Sequence, residues 1–420
     1  MTNRSADVVV VGCGALGLSA ARSLALGGAT VIAIDRAAPG SQTSARAAGQ
    51  SVVVQADDAV GDLMSRSLQA FVDLADDAPG FRVHRVGSVK LAASRWAAVQ
   101  LRREVSRAQA RGVRVELIDR EAVTSYAPYV DAAAVQLAWH SPDDLYFHPP
   151  ALLSTLLAAT RAAGVTVLDH LDVLAIVTHH GRFIEVVTQS GPLRAGAALI
   201  AAGPWTGALL ETVGVRVPTT LVRHQFTLRG PGPGIDPELP IVRIVDDATY
   251  ARPDGHHVVL GRYEPAPMVV EAGELPRDTA GLALDPRLID DAPFATSVFA
   301  HALSWPLAEV RGGVVTMSPD GGYIVDDAGI EGLHFITGCN VRGLTVAPAL
   351  GHDVARWMLT GERPDSLEPF SLQRFTRPLA RGDERAAGLR QYANIYLDRE
   401  SADVRAAQNH TPRMKVAPGA

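Results

Sequence analysis

Residues 8–17 read VVVVGCGALG and carry three glycines at a spacing that suits a phosphate-binding turn. In such a turn Gly12 allows the tight bend, Gly14 lets backbone N–H groups approach a pyrophosphate, and Gly17 lets the next helix pack closely on the strand. Asp35 ends the following apolar run, where a carboxylate can accept hydrogen bonds from both hydroxyls of an adenosine ribose. A 2′-phosphate would prevent this contact, so these residues predict FAD or NAD and disfavour NADP.

The residues around the glycine turn predict the elements that hold it. Residues 8–11 are a continuous apolar run, typical of a parallel strand buried on both faces. The stretch after Gly17 repeats apolar residues on one helical face and stops at Gly27 and Gly28, and TVIAID then supplies a second strand. This order of strand, turn, helix and strand predicts an α/β fold with a Rossmann-type domain. Flanking residues that we also place against the cofactor are Ala15, Leu16 and Arg36.

Composition limits the class of protein and its partners. The 420 residues are 47% hydrophobic and 20% charged, as in an ordinary globular protein of two or three domains. A net charge of −6 gives no general attraction to nucleic acid or anionic lipid, so neither partner is predicted. Two cysteines cannot build a disulfide framework, the N-terminus lacks the pattern of a signal peptide, and the longest apolar run is too short to span a bilayer. We therefore expect a cytoplasmic protein.

The loop after Asp35 favours FAD over NAD. An NAD enzyme of this kind usually continues with further alternating βα units, whereas this chain continues with the small and hydroxyl-rich stretch RAAPGSQTSARAAGQSVVV. The loop resembles that of the D-amino-acid oxidase superfamily of flavoproteins, in the branch of sarcosine, glycine and dimethylglycine oxidases and dehydrogenases. In that superfamily a TSGxxAG-like loop lies against the pyrophosphate and the flavin ring. The matching residues are Thr43, Ser44, Arg46, Ala48 and Gly49.

Three further stretches carry the same resemblance in the order of the superfamily, so that it spans residues 6 to about 375. They are FHPPALLSTLLAATRAAGVTVL, ALIAAGPWTGALL, and MSPDGGYIVDD followed by LHFITGCNVRGLTVAPALGHDVARWMLTG. The resemblance implies FAD, with Val173 near the adenine and a helix beginning near Ala347 that points its N-terminus at the flavin. The other residues that it implies against the cofactor are Ala202, Gly203, Trp205, Gly338, Asn340, Val341, Arg342, Gly343, Leu344 and Thr345.

The resemblance also bears on how the flavin is attached. The cysteine that binds the ring covalently in sarcosine oxidases falls near Gly313, and the covalent histidine of dimethylglycine dehydrogenases falls at Arg46. Neither residue can form the bond, and Cys339 reads as a small buried thiol. We therefore expect non-covalent FAD.

Oxidation of an amine by a flavin needs an α-C–H aimed at flavin N5, an unprotonated nitrogen and groups that hold the substrate. A substrate with a carboxylate also needs a cation, most efficiently a bidentate arginine. The candidates for that cation are Arg342, Arg46, Arg252 and Arg311, and His224 and Tyr250 are candidates for the wall of the substrate cavity. The predicted catalytic site consists of Arg342, which ranks first, together with Arg46, Arg252, His224 and Tyr250.

Three cations of the sarcosine oxidases have no counterpart in this chain. This chain has Gln50 or Ser51 where those oxidases have an arginine, and Thr345 where they have the carboxylate-binding lysine. Their oxygen-activating lysine corresponds to a position near Val259. The prediction is therefore limited to oxidation of an amino acid or a secondary or N-methylated amine to an imine, with the electron acceptor left open. Two alternatives are a flavoprotein subunit of a hetero-oligomeric amino-acid or opine dehydrogenase and a non-catalytic FAD-binding protein.

The resemblance implies a discontinuous FAD-binding domain and a second, mixed-sheet substrate domain of the α+β type. The hairpin TYARPDGHHVVLGRYE is expected in the second, with exposure alternating along its strands. A polar C-terminal extension is expected to form surface helices that could pack on a second subunit in a homo-oligomer, with its last ten residues disordered. Two pairs of adjacent histidines occur, His179 with His180 and His256 with His257. No metal site is predicted, because neighbouring residues of a strand point to opposite faces. The predicted segments are 1–80, 145–215 and 310–375 for the FAD-binding domain, 81–144 and 216–309 for the substrate domain, and 376–420 for the extension.

Overall fold

The computed structural model describes residues 5–375, 380–398 and 400–402, and the last ten residues, predicted to be disordered, lie outside this part. The helices are α1 Ala15–Leu26, α2 Asp58–Asp77, α3 Arg95–Ala110, α4 Arg120–Tyr126, α5 Pro149–Ala162, α6 Thr206–Glu211, α7 Pro293–Val298, α8 Ala300–Leu303, α9 Ala347–Thr360 and α10 Arg381–Ala393. The strands are β1 Ser5–Val11, β2 Val31–Ile34, β3 Gln50–Ser51, β4 Val83–His84, β5 Ser88–Ala92, β6 Glu116–Ile118, β7 Leu137–Ser141, β8 Leu145–Phe147, β9 Thr166–Leu168, β10 Val173–His179, β11 Arg182–Thr188, β12 Gly191–Ile200, β13 Thr220–Arg229, β14 Ile241–Ile244, β15 Thr249–Asp254, β16 His257–Arg262, β17 Leu307–Met317, β18 Ile324–Asp326 and β19 Leu333–Thr337.

The first sheet is the predicted Rossmann-type sheet. Its parallel strands run in the order β19, β12, β1, β2 and β9, and β10 and β11 add an antiparallel meander on β12. The predicted strand, glycine turn, helix and second strand are confirmed as β1, α1 and β2. A Cβ on Gly17 would stand 1.8 Å from the carbonyl oxygen of Gly12, which shows how closely α1 approaches the turn.

The second sheet is mixed and has the strand order β17, β13, β16, β15, β14, β5, β7 and β6. The predicted hairpin is confirmed as β15 and β16, paired with Asp254 opposite His257. The expected alternation of exposure is wrong, because both faces are covered. Val258 and Leu260 pack in a buried cluster with α7 and α8, while Val259 packs with Phe226 on the other face.

A third sheet is small and consists of β3, β8 and β4. β17 pairs with β13 in the second sheet, although the predicted domain boundary at residue 310 falls inside β17. The division into domains therefore stays a prediction. Helix α10 packs on β13 and β17 of its own chain, and association with a second subunit also stays a prediction. No helix among the described residues has both the length and the apolar character that crossing a membrane requires.

Candidate functional site

A cavity of about 490 Å³ lies between the two sheets. Its wall includes the carboxyl ends of β1, β2 and β12, where an open α/β sheet usually binds its ligand. The opposite wall is the face of the second sheet that carries His224, Arg243 and Tyr250. One continuous space thus joins the predicted cofactor residues to the predicted substrate residues, and its volume is in the range of about 300–1,000 Å³ that is usual for small-molecule sites.

The glycine turn and Asp35 form one end of this cavity. Asp35 Oδ2 accepts a hydrogen bond of 2.7 Å from the Cys13 N–H, and Oδ1 accepts one of 2.9 Å from the Ala37 N–H. Burial raises the pKa of the Asp35 carboxyl, and these two backbone hydrogen bonds oppose that rise. The carboxylate is therefore held in a fixed orientation on the cavity wall, with lone pairs left to accept from a ligand.

A second group of side chains borders the same end. The Arg36 guanidinium lies 4.9 Å from the centre of the Trp205 ring and donates to Asp172 at 3.1 Å. Val173, which begins β10, lines the cavity beside them. A stacked, mostly apolar surface with one fixed cation is suited to a planar base such as adenine.

The loop after β19 carries backbone strain where it meets the cavity. Asn340 has φ of 45° and Val341 has φ of 61°, a region that a β-branched residue rarely adopts. The Asn340 side chain holds this conformation by donating from Nδ2 to the carbonyl oxygens of Gly338 at 2.5 Å and Gly322 at 3.0 Å. Val341 then lines the cavity, whereas Asn340 and Gly338 lie behind it and position the loop.

The structure places most of the predicted cofactor residues on the cavity wall. Gly17, Gly338 and Asn340 are the exceptions, and each supports the backbone of a residue that does line it. The predicted residues that line the cavity are Gly12, Gly14, Ala15, Leu16, Asp35, Arg36, Thr43, Ser44, Arg46, Ala48, Gly49, Val173, Ala202, Gly203, Trp205, Val341, Arg342, Gly343, Leu344 and Thr345.

The candidate arginines separate into two groups. Arg342 and Arg46 line the cavity. Arg252 does not, contrary to our expectation: its side chain is buried, and Nε donates to the Ala48 carbonyl oxygen at 2.5 Å while Nη1 bonds Asp254 at 3.0 Å. It therefore holds the loop that carries Ala48. Arg311 is likewise outside the cavity wall and pairs with Glu309 at 2.7 Å.

Arg342 differs from the other basic side chains of the cavity. Its Nη1 donates to Gln55 Oε1 at 3.0 Å and its Nε to the Asn340 carbonyl oxygen at 3.4 Å. No carboxylate among the described residues lies within ion-pair distance of it. The other lysine and arginine side chains of the wall each have an acidic partner: Arg36 with Asp172, Arg46 with Asp278, Lys90 with Glu104, and Arg243 with Asp144.

His224 and Tyr250 both line the cavity and bond each other. His224 Nε2 lies 2.9 Å from the Tyr250 hydroxyl, Nδ1 lies 2.8 Å from the Tyr392 hydroxyl, and the imidazole stacks on Tyr263 at 4.7 Å. Burial lowers the pKa of His224 to about 4, so the ring is neutral at physiological pH. One of its nitrogens donates and the other accepts, which fixes the hydroxyl of Tyr250.

Sequence reasoning missed two parts of this wall. Lys90, Glu104 and Arg243 line the cavity from strands and a helix whose pairing could not be predicted. Ile395 and Tyr396 of the C-terminal extension also line the cavity. No sequence pattern in the extension predicted that it would reach the cavity. The extension is anchored by Asp398, which accepts hydrogen bonds from Arg103 and Arg107 of α3.

The sequence model of the family described as FAD dependent oxidoreductase matches residues 7–357. The chain belongs to this family. Among the relatives of this FAD-dependent oxidoreductase is the 4-methylaminobutanoate oxidase (formaldehyde-forming) of Paenarthrobacter nicotinovorans, 25% identical over 376 residues, which are 88% of this chain and 45% of that protein. Human mitochondrial sarcosine dehydrogenase is 23% identical over 89% of this chain and 42% of its own length. The chain thus spans less than half of these curated relatives.

Solved structures show the same fold. L-Proline dehydrogenase from P. horikoshii matches with a TM-score of 0.81 at 20% identity, over 89% of this chain and 98% of that one. Glycine oxidase from Geobacillus kaustophilus matches with a TM-score of 0.76 at 21% identity, over 90% of this chain and 100% of that one. The family membership confirms the predicted resemblance, the α/β Rossmann-type fold, FAD as the cofactor and an oxidoreductase as the class of enzyme.

The residues of the cavity fit FAD. Buried donors of residues on its wall, among them Arg46 Nε and Gln50 Nε2, have no acceptor among the described residues, and buried donors without acceptors call for a ligand rich in oxygen and nitrogen. Gly203 also lines the wall with φ of 56°, and nothing in the described part of the chain lies within 4 Å of where its Cβ would stand. The backbone there is open to a close ligand.

Proposed function

We propose that this FAD-dependent oxidoreductase oxidises the C–N bond of an amine that bears a carboxylate, an amino acid or an N-substituted amino acid, to an imine. The observation that carries this proposal is Arg342. It is a cation on the cavity wall with no acidic partner among the described residues, and such a group binds an anionic ligand most strongly when water is excluded.

The cofactor is proposed to lie along the first sheet, with its pyrophosphate at the Gly12–Gly14 turn and its ribose at Asp35. The loop of residues 43–49 and the loop of Val341 would hold its ring. When bound, FAD supplies the acceptor for the two electrons and the hydrogen that leave the substrate carbon. Gly313 and Arg46 cannot form the covalent links of relatives, and burial raises the pKa of Cys339 to about 11, which keeps its thiol protonated. FAD is therefore proposed to be non-covalent.

The substrate is held by this chain's own residues. The Arg342 guanidinium would pair with the carboxylate, and Tyr250, Tyr263 and His224 would pack against the rest of the molecule. A positive charge close by and a water-poor wall both favour the unprotonated amine that the reaction requires. His224 does not add to the positive charge of Arg342, because its pKa of about 4 leaves the imidazole neutral at physiological pH.

The proposal is tested by anaerobic reduction of the bound flavin. Purified holoprotein is mixed with amino acids, N-methyl amino acids and the matching amines without a carboxylate, and the flavin absorbance is followed. Bleaching by carboxylated amines, and far slower bleaching by the others, supports the proposal. If none of the amines bleaches the flavin, amine oxidation is the wrong reaction.

Air is then admitted to the reduced protein to identify the electron acceptor. Rapid reoxidation with peroxide formation indicates an oxidase. Slow reoxidation in air together with fast reoxidation by an artificial acceptor indicates a dehydrogenase, including a subunit that passes electrons to a partner protein.

A further inference from the structure

The C-terminal extension forms part of the cavity wall on the side of the second sheet. Ile395 and Tyr396 line the cavity there together with Lys90 of β5 and Tyr263, which follows β16. Both residues of the extension come after α10 and lie beyond residue 357, where the match to the family model ends. This part of the wall is therefore built by a segment that the family model does not describe.

The main chain of Tyr396 is fixed by side chains of β5 and α3. Its carbonyl oxygen accepts a hydrogen bond of 2.5 Å from Gln100 Nε2 and a weaker one of 3.4 Å from Lys90 Nζ. Both donors also bond Glu104 Oε1 at 2.7 Å, and all three of these side chains are buried. Because these bonds reach the backbone of Tyr396, a change of its side chain leaves them in place.

A second anchor lies two residues further along the chain. The carboxylate of Asp398 accepts two hydrogen bonds of 3.2 Å from Arg103 and one of 3.2 Å from Arg107, both of α3. Burial alone would raise the pKa of Asp398, but hydrogen bonds from the Ser401 N–H and from Arg103 hold it below its usual range. The carboxylate is therefore ionised at physiological pH and ties the extension to α3.

The ring of Tyr396 is packed between neighbouring side chains. It meets the Tyr263 ring edge-on, with the ring centres 5.3 Å apart, and the Lys90 ammonium lies 5.3 Å from its centre. The residue is partly exposed and lines the cavity. Burial raises the pKa of the Tyr396 hydroxyl well above its ordinary value, so the phenol is neutral. A neutral, packed ring acts on a ligand mainly through its volume, because close-packed side chains yield little space.

Tyr263 connects this ring with the proposed carboxylate site. Burial raises the pKa of Tyr263 to about 12, and the positive charge of Arg342 opposes this rise, so the guanidinium lies near the Tyr263 hydroxyl. Tyr396 packs on the same phenol. A substrate whose carboxylate is bound at Arg342 therefore has the Tyr396 ring close to the rest of the molecule.

We propose that Tyr396 is a specificity-determining residue, whose ring limits the length of the substituent on the amine nitrogen or on the α-carbon of the substrate. The inference rests on the proposed function, and it narrows the substrate class to short amino acids and short N-alkyl amino acids. Beside the ring, Lys90 and Glu104 form a buried ion pair at 2.7 Å. A longer apolar substituent would have to displace either the ring or this pair, and separating a buried pair is strongly unfavourable.

The test compares two homologous series of substrates on the holoprotein by anaerobic flavin reduction. One series is the N-alkyl glycines from N-methyl to N-hexyl, and the other is the racemic linear amino acids from alanine to 2-aminooctanoate. In at least one series the efficiency should fall at least about ten-fold from the shortest to the longest member, as expected for a pocket of fixed size. Tyr396→Ala should raise the long-to-short ratio of efficiencies at least about ten-fold in that series. Tyr396→Phe keeps the ring and should keep the ratio within about threefold.

Tyr126→Ala is the matched control, since this tyrosine of α4 is also partly buried, stacks on His140 at 4.3 Å and lies outside the cavity wall. It should leave the ratio unchanged. Asp398→Ala keeps the ring but removes its anchor on α3, and it should raise the ratio in the same series as Tyr396→Ala. Long substrates that react as well as short ones in the unsubstituted protein, or a ratio that Tyr396→Ala changes no more than Tyr126→Ala does, would overturn the proposal. The proposed oxidation of short amines would still stand.

A binding measurement with Tyr396→Leu, a milder truncation, covers the case in which Tyr396→Ala does not fold. S-Alkyl thioglycolates of increasing chain length, which cannot form imines, are titrated into the holoprotein and followed by the flavin spectrum. An affinity that falls at least about ten-fold with length in the unsubstituted protein and recovers in Tyr396→Leu supports the proposal. The same dependence on length in both proteins overturns it. Because no oxidation is involved, this result stands even if the amine screen shows that the proposed reaction is wrong.

Discussion

Replacing Arg342 by alanine tests the placement of the substrate carboxylate. The side chain is half-buried on the cavity wall, and it donates hydrogen bonds to two neutral oxygens, of Gln55 and Asn340. Removing it would leave the carboxylate of a bound substrate without its cation. Loss of one partner of a desolvated charge pair costs about 2–5 kcal/mol, or about 30-fold to several thousand-fold in efficiency. Because Arg342 is only half-buried, we expect the lower part of this range.

The assay is the anaerobic rate of flavin reduction over a range of substrate concentrations. Arg342→Ala should lower this efficiency at least about thirty-fold with a carboxylated amine and far less with the matching amine that lacks the carboxylate. FAD should stay bound. Gln55→Ala is the control, since it removes the neutral hydrogen-bond partner and leaves the charge in place, so it should retain most of the activity.

Equal losses with both amines would refute the assignment. Arg342 would then support the flavin loop or the fold, and Gln55→Ala would be expected to reproduce much of the defect. The search for the carboxylate partner would move to Arg46, which also lines the cavity, and no longer to Arg252, whose donors are bonded to Ala48 and Asp254.

Acid or heat denaturation should release intact FAD into the supernatant, and flavin that remains with the precipitated chain would show a covalent link. Asp35→Ala should weaken FAD binding, because one or two charge-assisted hydrogen bonds to the ribose, each worth about 1.5–3 kcal/mol, are lost; an affinity within about twofold would contradict the contact. Burial lowers the pKa of His224 from 6.5 to about 4 in the folded protein. As the pH falls, this histidine is therefore protonated in the unfolded chain before it is protonated in the folded one. The free energy of unfolding is highest above pH 6.5 and decreases as the pH drops towards 4. Between pH 7 and pH 5 this should cost about 1–2 kcal/mol, seen as a smaller pH dependence of the unfolding free energy in His224→Phe; identical pH dependences would refute the assignment.

Features that are local along the chain could be predicted from the amino-acid sequence. β1, the glycine turn, α1, β2 and Asp35 follow one another within about thirty residues, and each is specified by periodicity, glycine and its neighbours. Helix α9, which follows the loop after β19, and the hairpin of β15 and β16 were predictable for the same reason. The alternation predicted for that hairpin failed because covering its second face depends on segments that are distant in sequence.

Which side chains meet in the cavity depends on long-range contacts of the folded chain. Arg252 and Tyr250 are two residues apart on β15, yet the first lies under the loop at Ala48 and the second faces the cavity, a difference set by docking of that loop. Arg243 and Lys90 became neighbours through the parallel pairing of β14 with β5, strands separated by about 150 residues, and strand register is fixed by long-range packing. Tyr396 reached the same wall because the extension is held on α3 by charged groups that give no periodic pattern in the sequence.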